Sequence, residues 1–173
     1  NTQLKNLEVS ECTGLKVLNA SYTQLTKLEV FKCTGLKVLY VNETQLTNLE
    51  VSECTELTKL YVNGTQLTKL DVSKCTNLTE IDLSKCTDLT EIDLSNCTNL
   101  QKLNTIEKPI ELNLFEYTKL ITLNVSGTLL TNLDVSKCTG LKVLNVSKCE
   151  KLTQLNVSKC TELKEIDVSN CDE

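Results

Sequence analysis

The chain has 173 residues, no His, 3% aromatic residues and a formal net charge of −5, because 18 Lys and Arg residues stand against 23 Asp and Glu residues. Without clustered basic residues we expect no nucleic-acid partner, and without an apolar run of roughly 20 residues we expect no membrane insertion. The lack of His, the commonest general base and metal ligand, argues against an enzyme.

The chain repeats one short unit, L-x-x-L-x-V-S-x-C-T-x, sixteen times without a residue left over between Leu4 and Glu173. We number its positions 1 to 11. Position 1 is Leu except at Pro109, position 4 is always Leu or Ile, and position 6 is apolar except at Thr105. This self-similarity predicts a single repeat array over residues 1–173. The units begin at Leu4, Leu15, Leu25, Leu36, Leu46, Leu57, Leu67, Leu78, Leu89, Leu100, Pro109, Leu120, Leu130, Leu141, Leu152 and Leu163.

Each unit predicts a short strand and a corner. Positions 4 and 6 are apolar and their neighbours polar, which indicates a strand with one buried face. The Ser, Asn, Gly and Thr residues that follow favour a turn. The first units alternate between 11 and 10 residues, so the period is 21 and each turn holds two strands. Odd units then form face A and even units face B, as two parallel sheets of a β-solenoid with about eight turns and little or no helix.

The repeated unit resembles the leucine-rich repeat strand consensus L-x-x-L-x-L-x-x-N/C-x-L along the whole chain. The nested period of 21 is similar to the bacterial subclass called IRREKO. That resemblance implies a secreted or cell-surface protein that binds other molecules. It also implies that an Asn or Cys at position 9 makes a hydrogen bond inside the corner.

Position 9 is Cys in ten units, and we expect these thiols to be structural. Cysteines 21 residues apart stack like strands at about 4.8 Å, beyond the usual Cβ separation of roughly 3.5–4.5 Å in a disulfide. There is no C-x-x-C motif, so we expect no metal and no cofactor. We expect ten reduced, buried thiols whose S–H groups satisfy corner carbonyls. They are Cys12, Cys33, Cys54, Cys75, Cys86, Cys97, Cys138, Cys149, Cys160 and Cys171.

The outward positions of face B contain a candidate binding patch near the N-terminus. Three of the four tyrosines fall there, beside two outward valines. Outward apolar clusters favour an interaction surface, although Val and Tyr also simply favour strands. The candidate residues are Val17, Tyr22, Val38, Tyr40, Lys59 and Tyr61.

Two other features allow alternatives. A column of carboxylates on face A, from Glu8 to Asp134, is compatible with bound cations or with a solvated polar face. The repeat is irregular at residues 100–119, where Thr105, Pro109 and Tyr117 replace regular residues. This irregularity is either a scar of repeat recombination or a shaped site.

The sequence therefore favours a non-enzymatic module that binds a protein or cell-surface ligand through an exposed sheet face. The alternative is an assembly module that stacks end to end, because neither end of the array has a divergent cap and open strand edges can pair. For the same reason we expect the array to be a piece of a longer one. A Thr column at position 2 of face A also allows ice binding, but its neighbours are charged.

Overall fold

A computed structural model describes residues 3–105, 114 and 117–171. Its described elements are short parallel strands of three residues each, and none of them is a helix. The predicted β-solenoid of short parallel strands is confirmed, with strands on two faces. Half of the irregular segment at residues 100–119, including Pro109, lies outside the described residues.

Face B is one continuous eight-stranded parallel sheet, so seven steps separate its first and last strands. Each strand pairs in register with its neighbour, for example Leu18 with Leu39 and Leu39 with Leu60. These strands are β2 (Val17–Asn19), β4 (Val38–Tyr40), β5 (Lys59–Tyr61), β7 (Glu80–Asp82), β9 (Lys102–Asn104), β10 (Thr122–Asn124), β12 (Val143–Asn145) and β14 (Glu165–Asp167).

The described strands of face A form three separate pairs, and most of the unit between the second and third pairs lies outside the described residues. Between the first two pairs, Glu50 joins Asp71 by one isolated bridge. A strand of three residues has few ladder hydrogen bonds, so a small change in spacing is enough to interrupt the sheet. The strands are β1 (Asn6–Glu8) with β3 (Lys27–Glu29), β6 (Lys69–Asp71) with β8 (Glu91–Asp93), and β11 (Asn132–Asp134) with β13 (Gln154–Asn156).

The core lies between the two faces and is made of the apolar residues at positions 1, 4 and 6. Leu36, Leu39 and Val41 of one face B unit are all fully buried. Because burial of one such side chain contributes about 1.5–3 kcal/mol, a continuous column of them stabilises strands that are too short to be stable alone. The repeated Leu and Val residues therefore hold the outward positions in fixed columns.

The corners of face B share one unusual backbone conformation. Position 8 has a positive φ, between 51° and 71°, which L residues with a side chain adopt at a cost. At Gly64 a Cβ would lie 2.7 Å from the carboxylate carbon of Glu43, whose side chain crosses this glycine to reach Lys85 at 3.4 Å. The residues are Tyr22, Glu43, Gly64, Lys85, Gly127, Lys148 and Asn170.

Candidate functional site

The candidate patch on face B is assembled by the strand register. Position 3 places Val17 beside Val38 and Val38 beside Lys59 on neighbouring strands. Position 5 places Tyr40 directly beside Tyr61. The strand pairing therefore brings together five of the six residues that the sequence singles out, and Tyr22 lies at the corner that follows Val17 on the same unit.

The two strand tyrosines stack on each other. The ring centroids of Tyr40 and Tyr61 are 4.8 Å apart and the ring planes differ by 6°. Offset stacking of this kind contributes about 0.5–1.5 kcal/mol beyond area burial. Both side chains are half-buried, as is Val38, whereas Val17 is 56% and Tyr22 67% exposed. The patch thus combines a rigid aromatic pair with two exposed apolar side chains.

Glu80 organises the polar side of the patch. Its Oε2 accepts a hydrogen bond from the Tyr61 hydroxyl at 2.5 Å, and an ion pair joins it to Lys59 at 2.9 Å. Lys102 contacts the other carboxylate oxygen at 3.2 Å. Burial alone would raise the pKa of Glu80, but the hydrogen bonds from these three partners lower it to about 2. Burial and the bond to Glu80 together raise the pKa of Tyr61.

Glu80 and Lys102 are absent from the candidate residues of the sequence, although a signal for them exists. They occupy position 3 immediately after Lys59, so the charges in this column alternate in sign. Opposite charges directly across neighbouring strands attract. The alternation predicts an ion-paired cluster that fixes Lys59 and the Tyr61 phenol.

The position 5 side chain normally caps its own corner. Its oxygen accepts a hydrogen bond from the backbone N–H of position 7, as Asp82 does from Ser84 at 3.0 Å. Tyr40 and Tyr61 have no such oxygen, so these two units give up a local turn-stabilising bond. The residues that cap in this way are Asn19, Asp71, Asp82, Asp93, Asn124, Asp134, Asn145, Asn156 and Asp167.

The same caps stabilise the aspartates in the acidic column of face A, Asp71, Asp93 and Asp134. At Asp71 the hydroxyl and then the backbone N–H of Ser73 donate to the carboxylate and lower its pKa. The charge is thus stabilised locally, by the corner of its own unit. Among the described residues, no group of three or more acidic or thiol side chains is placed to hold a metal ion.

The corner ladder links successive turns of the solenoid. The thiol of Cys33 contacts the carbonyl oxygen of Val9 at 3.1 Å, one turn earlier on the same face. That carbonyl also accepts the N–H of Cys12 at 2.8 Å, so both of its lone pairs are used. Seven further cysteines reach the position 6 carbonyl of the preceding turn: Cys54, Cys75, Cys86, Cys97, Cys149, Cys160 and Cys171.

All ten cysteines are free thiols, and eight of them are buried. Burial raises the pKa of Cys54 and of Cys75 to about 12. The expectation that every thiol is buried is wrong for Cys12, which is exposed, and Cys171 is half-buried. Cys12 belongs to the first described unit, so no preceding described turn covers it.

Threonine at position 9 does not make the same bond as cysteine. The hydroxyl of Thr44 donates to Val41 of its own unit at 2.8 Å, and Thr23 donates likewise to Ala20 at 2.8 Å. Tyr117, in contrast, follows the cysteines, because its buried hydroxyl donates to the Leu94 carbonyl of the preceding turn at 2.7 Å. Burial raises the pKa of Tyr117 to about 12.

The sequence of residues 77–171 matches the family described as the endo-beta-N-acetylglucosaminidase EndoS LRR domain. A search of curated proteins returns no match. No helix among the described residues is long and apolar enough to cross a membrane.

Solved structures with the same fold include three from Listeria monocytogenes. The functional domain of InlJ, described as including a cysteine ladder, is 27% identical, with a TM-score of 0.66 over 98% of this chain and 47% of its own. Internalin InlF is 18% identical, with a TM-score of 0.73 over 94% of this chain and 50% of its own. Internalin C2 is 20% identical, with a TM-score of 0.59 over 92% of this chain and 83% of its own. The chain thus spans about half the length of the first two structures.

Proposed function

Because the chain belongs to the leucine-rich repeat family described as the EndoS LRR domain, we propose that it is a non-enzymatic binding module for a protein or cell-surface ligand. The binding surface in this proposal is the face B patch, defined by Val17, Tyr22, Val38, Tyr40, Lys59 and Tyr61. Repeat solenoids present such extended faces to their partners. The family resemblance and the likeness to the Listeria internalins also support a secreted or cell-surface location in a bacterium.

The observation that carries the proposal is that two neighbouring units depart from the repeat at position 5 of face B. Tyr40 and Tyr61 stand where every other face B unit has Asn or Asp, and their rings stack on each other. The exposed ring of Tyr22 lies at a nearby corner and gains no packing energy there. Local departures that do not benefit the fold are typical of functional sites.

The test restores the repeat at the patch. Tyr40→Asn with Tyr61→Asn gives both units the usual position 5 residue and removes the aromatic pair. Bacterial and host surface proteins retained on the immobilised parent chain are identified by mass spectrometry and measured again on the double variant. We expect one partner to be retained by the parent and to bind the variant at least about tenfold more weakly, since clustered aromatic contacts dominate interfaces.

Equal retention of the same partner by both chains would contradict the proposal. Sedimentation of the parent over a range of concentrations distinguishes the assembly alternative, in which the chain itself would form end-to-end oligomers that the double substitution leaves unchanged. A matched control, Asn124→Ala with Asn145→Ala, changes two neighbouring position 5 residues on the other half of face B and should bind like the parent.

A further inference from the structure

The stack of tyrosine rings in the patch ends at Tyr40. The 4.8 Å between the rings of Tyr40 and Tyr61 matches the spacing of parallel strands, about 4.8 Å. The next place in this column, beside Tyr40, belongs to Asn19. Its Oδ1 accepts the N–H of Ser21 at 3.1 Å, so the short side chain is drawn to its own backbone. The ring face of Tyr40 that points away from Tyr61 therefore has no stacked ring beside it among the described residues.

Apolar side chains border this space. Val17 lies two residues before Asn19 on the same outward side of the strand, and Tyr22 lies at the following corner, both exposed. The neighbouring Lys16 is directed elsewhere, because its Nζ lies only 2.7 Å from where a Cβ of Gly35 would be. We define the Asn19 slot by Val17, Asn19, Tyr22 and Tyr40.

The slot lies on the cationic side of an acidic chain. From the second to the tenth unit, positions 2, 3 and 5 of face B contain four Lys residues and two acidic residues, whereas the chain as a whole has a charge of −5. The same positions of face A, from the first to the ninth unit, contain three Lys residues and six acidic residues. Lys37, at position 2 beside Val38, makes no ion pair with a described acidic side chain. Face B is thus electrostatically complementary to an acidic partner.

We propose that the Asn19 slot receives an aromatic side chain from an acidic segment of a protein partner. Carboxylates next to this aromatic residue in the partner would pair with Lys37 and Lys59. This deepens the proposed function and rests on it. A sugar ring needs several converging polar groups, and the carbonyl oxygen of Asn19 is already used. A second copy of the chain fits less well, because its acidic face A has no aromatic residue at the described positions 2, 3 and 5.

The test uses the absence of Trp from the chain, so that indole fluorescence reports only on a probe peptide. The probe is the acetylated and amidated tripeptide Glu-Trp-Glu, titrated with the parent chain at low salt. Asn19→Tyr fills the slot with a ring of the chain's own. Because one aromatic pair is worth about a factor of 2 to 12 in affinity, we expect this variant to bind about two- to twelvefold more weakly.

The matched control is Asn145→Tyr. Asn145 also occupies position 5 of face B and accepts the N–H of Ser147 at 2.9 Å, but its strand neighbours are Asn124 and Asp167. This variant loses the same cap without touching the slot, so it should bind the probe like the parent. Lys-Trp-Lys and Glu-Leu-Glu should bind more weakly than Glu-Trp-Glu, and salt should weaken the binding of Glu-Trp-Glu.

Several results would overturn the inference. If Asn19→Tyr binds the probe peptide as tightly as the parent chain while Tyr40→Asn/Tyr61→Asn loses binding, the slot is refuted. Face B would then still be a binding surface. Preference for a cello-oligosaccharide over the peptide would refute the ligand class, as would the absence of saturable peptide binding. If the parent chain dimerises and the Asn19→Tyr variant does not, the slot is occupied by a second copy of the chain and the proposed partner is wrong. The proposed function fails by a separate result, namely if Tyr40→Asn/Tyr61→Asn retains the partner as strongly as the parent chain does.

Discussion

The hydroxyl of Tyr117 donates to the carbonyl oxygen of Leu94 at 2.7 Å, which is the bond that a cysteine thiol makes in the regular turns. Tyr117→Phe removes the donor and keeps the ring. We expect a loss of about 0.5–1.5 kcal/mol in the free energy of unfolding, because the carbonyl retains the N–H of Cys97 as its other partner. Urea denaturation measures the loss. Tyr22→Phe is the control, and an equal effect of both substitutions would show that the buried bond is not the cause.

The thiols should react in an order set by burial. At pH 8 we expect Cys12 to react at once with a chromogenic thiol reagent and Cys171 more slowly, because the thiolate is the reactive form and must be reached by the reagent. The eight buried thiols should react only after denaturation. Rapid reaction of more than two thiols in the native chain would contradict the corner ladder.

Glu80 should make the stability of the fold depend on pH. Its pKa is about 2 in the folded chain, against 4.5 as the ordinary value. A lowered pKa means that the carboxylate stabilises the fold above about pH 4.5 and that this stabilisation is lost as the pH falls toward 2. The loss is on the order of 3 kcal/mol at most, since one pKa unit corresponds to about 1.4 kcal/mol.

The comparison for this prediction is Glu80→Gln, which should show a smaller decline in stability between pH 5 and pH 2 than the parent. Glu165→Gln changes an exposed carboxylate in the same column and should decline like the parent. Parallel declines of the parent and Glu80→Gln, followed by circular dichroism in urea, would show that Glu80 is not held by its partners.

Gly64 should be intolerant of a side chain. Its φ is +69°, and an added Cβ would lie 2.7 Å from the Glu43 carboxylate, so Gly64→Ala is expected to destabilise the fold by about 1–2 kcal/mol. Gly140→Ala is the matched control, because nothing lies within 4 Å of its added Cβ. That variant should be neutral or slightly stabilising in thermal denaturation. Equal melting temperatures for the two variants would contradict this account.

The solenoid could be predicted from the sequence because each unit repeats the same pattern of burial. Leu39 and Val41 are buried in the structure as the alternation predicts, and the leucine-rich repeat resemblance is confirmed. The interruption of face A around Glu50 could not be predicted, since the spacing between strands depends on small differences in packing. Nor could the pattern show that Thr44 bonds within its unit while Cys54 reaches back one turn. That choice depends on side-chain length and direction.

The candidate patch shows the same limit. Alternation places Tyr40 and Tyr61 on the outer surface, and their register makes them neighbours. The half-burial of both residues comes from their mutual stacking and from the bond between Tyr61 and Glu80, which are side-chain contacts that the repeat does not specify. Whether the patch binds a partner remains the proposal that the restored double variant tests.

Because cysteine and threonine corners bond differently, the resistance of the solenoid to stretching varies along its axis. A cysteine at a corner hydrogen-bonds to the preceding turn, whereas the hydroxyls of Thr23 and Thr44 donate hydrogen bonds within their own units. The turn that ends in Thr44 therefore lacks the side-chain bond to the preceding turn of face B that Cys86, Cys149 and Cys171 make. Under a load along the axis, we expect this turn to separate from the one before it more easily than the turns that end in those cysteines. A partner that contacts both Val17 and Tyr40 would hold these two turns together.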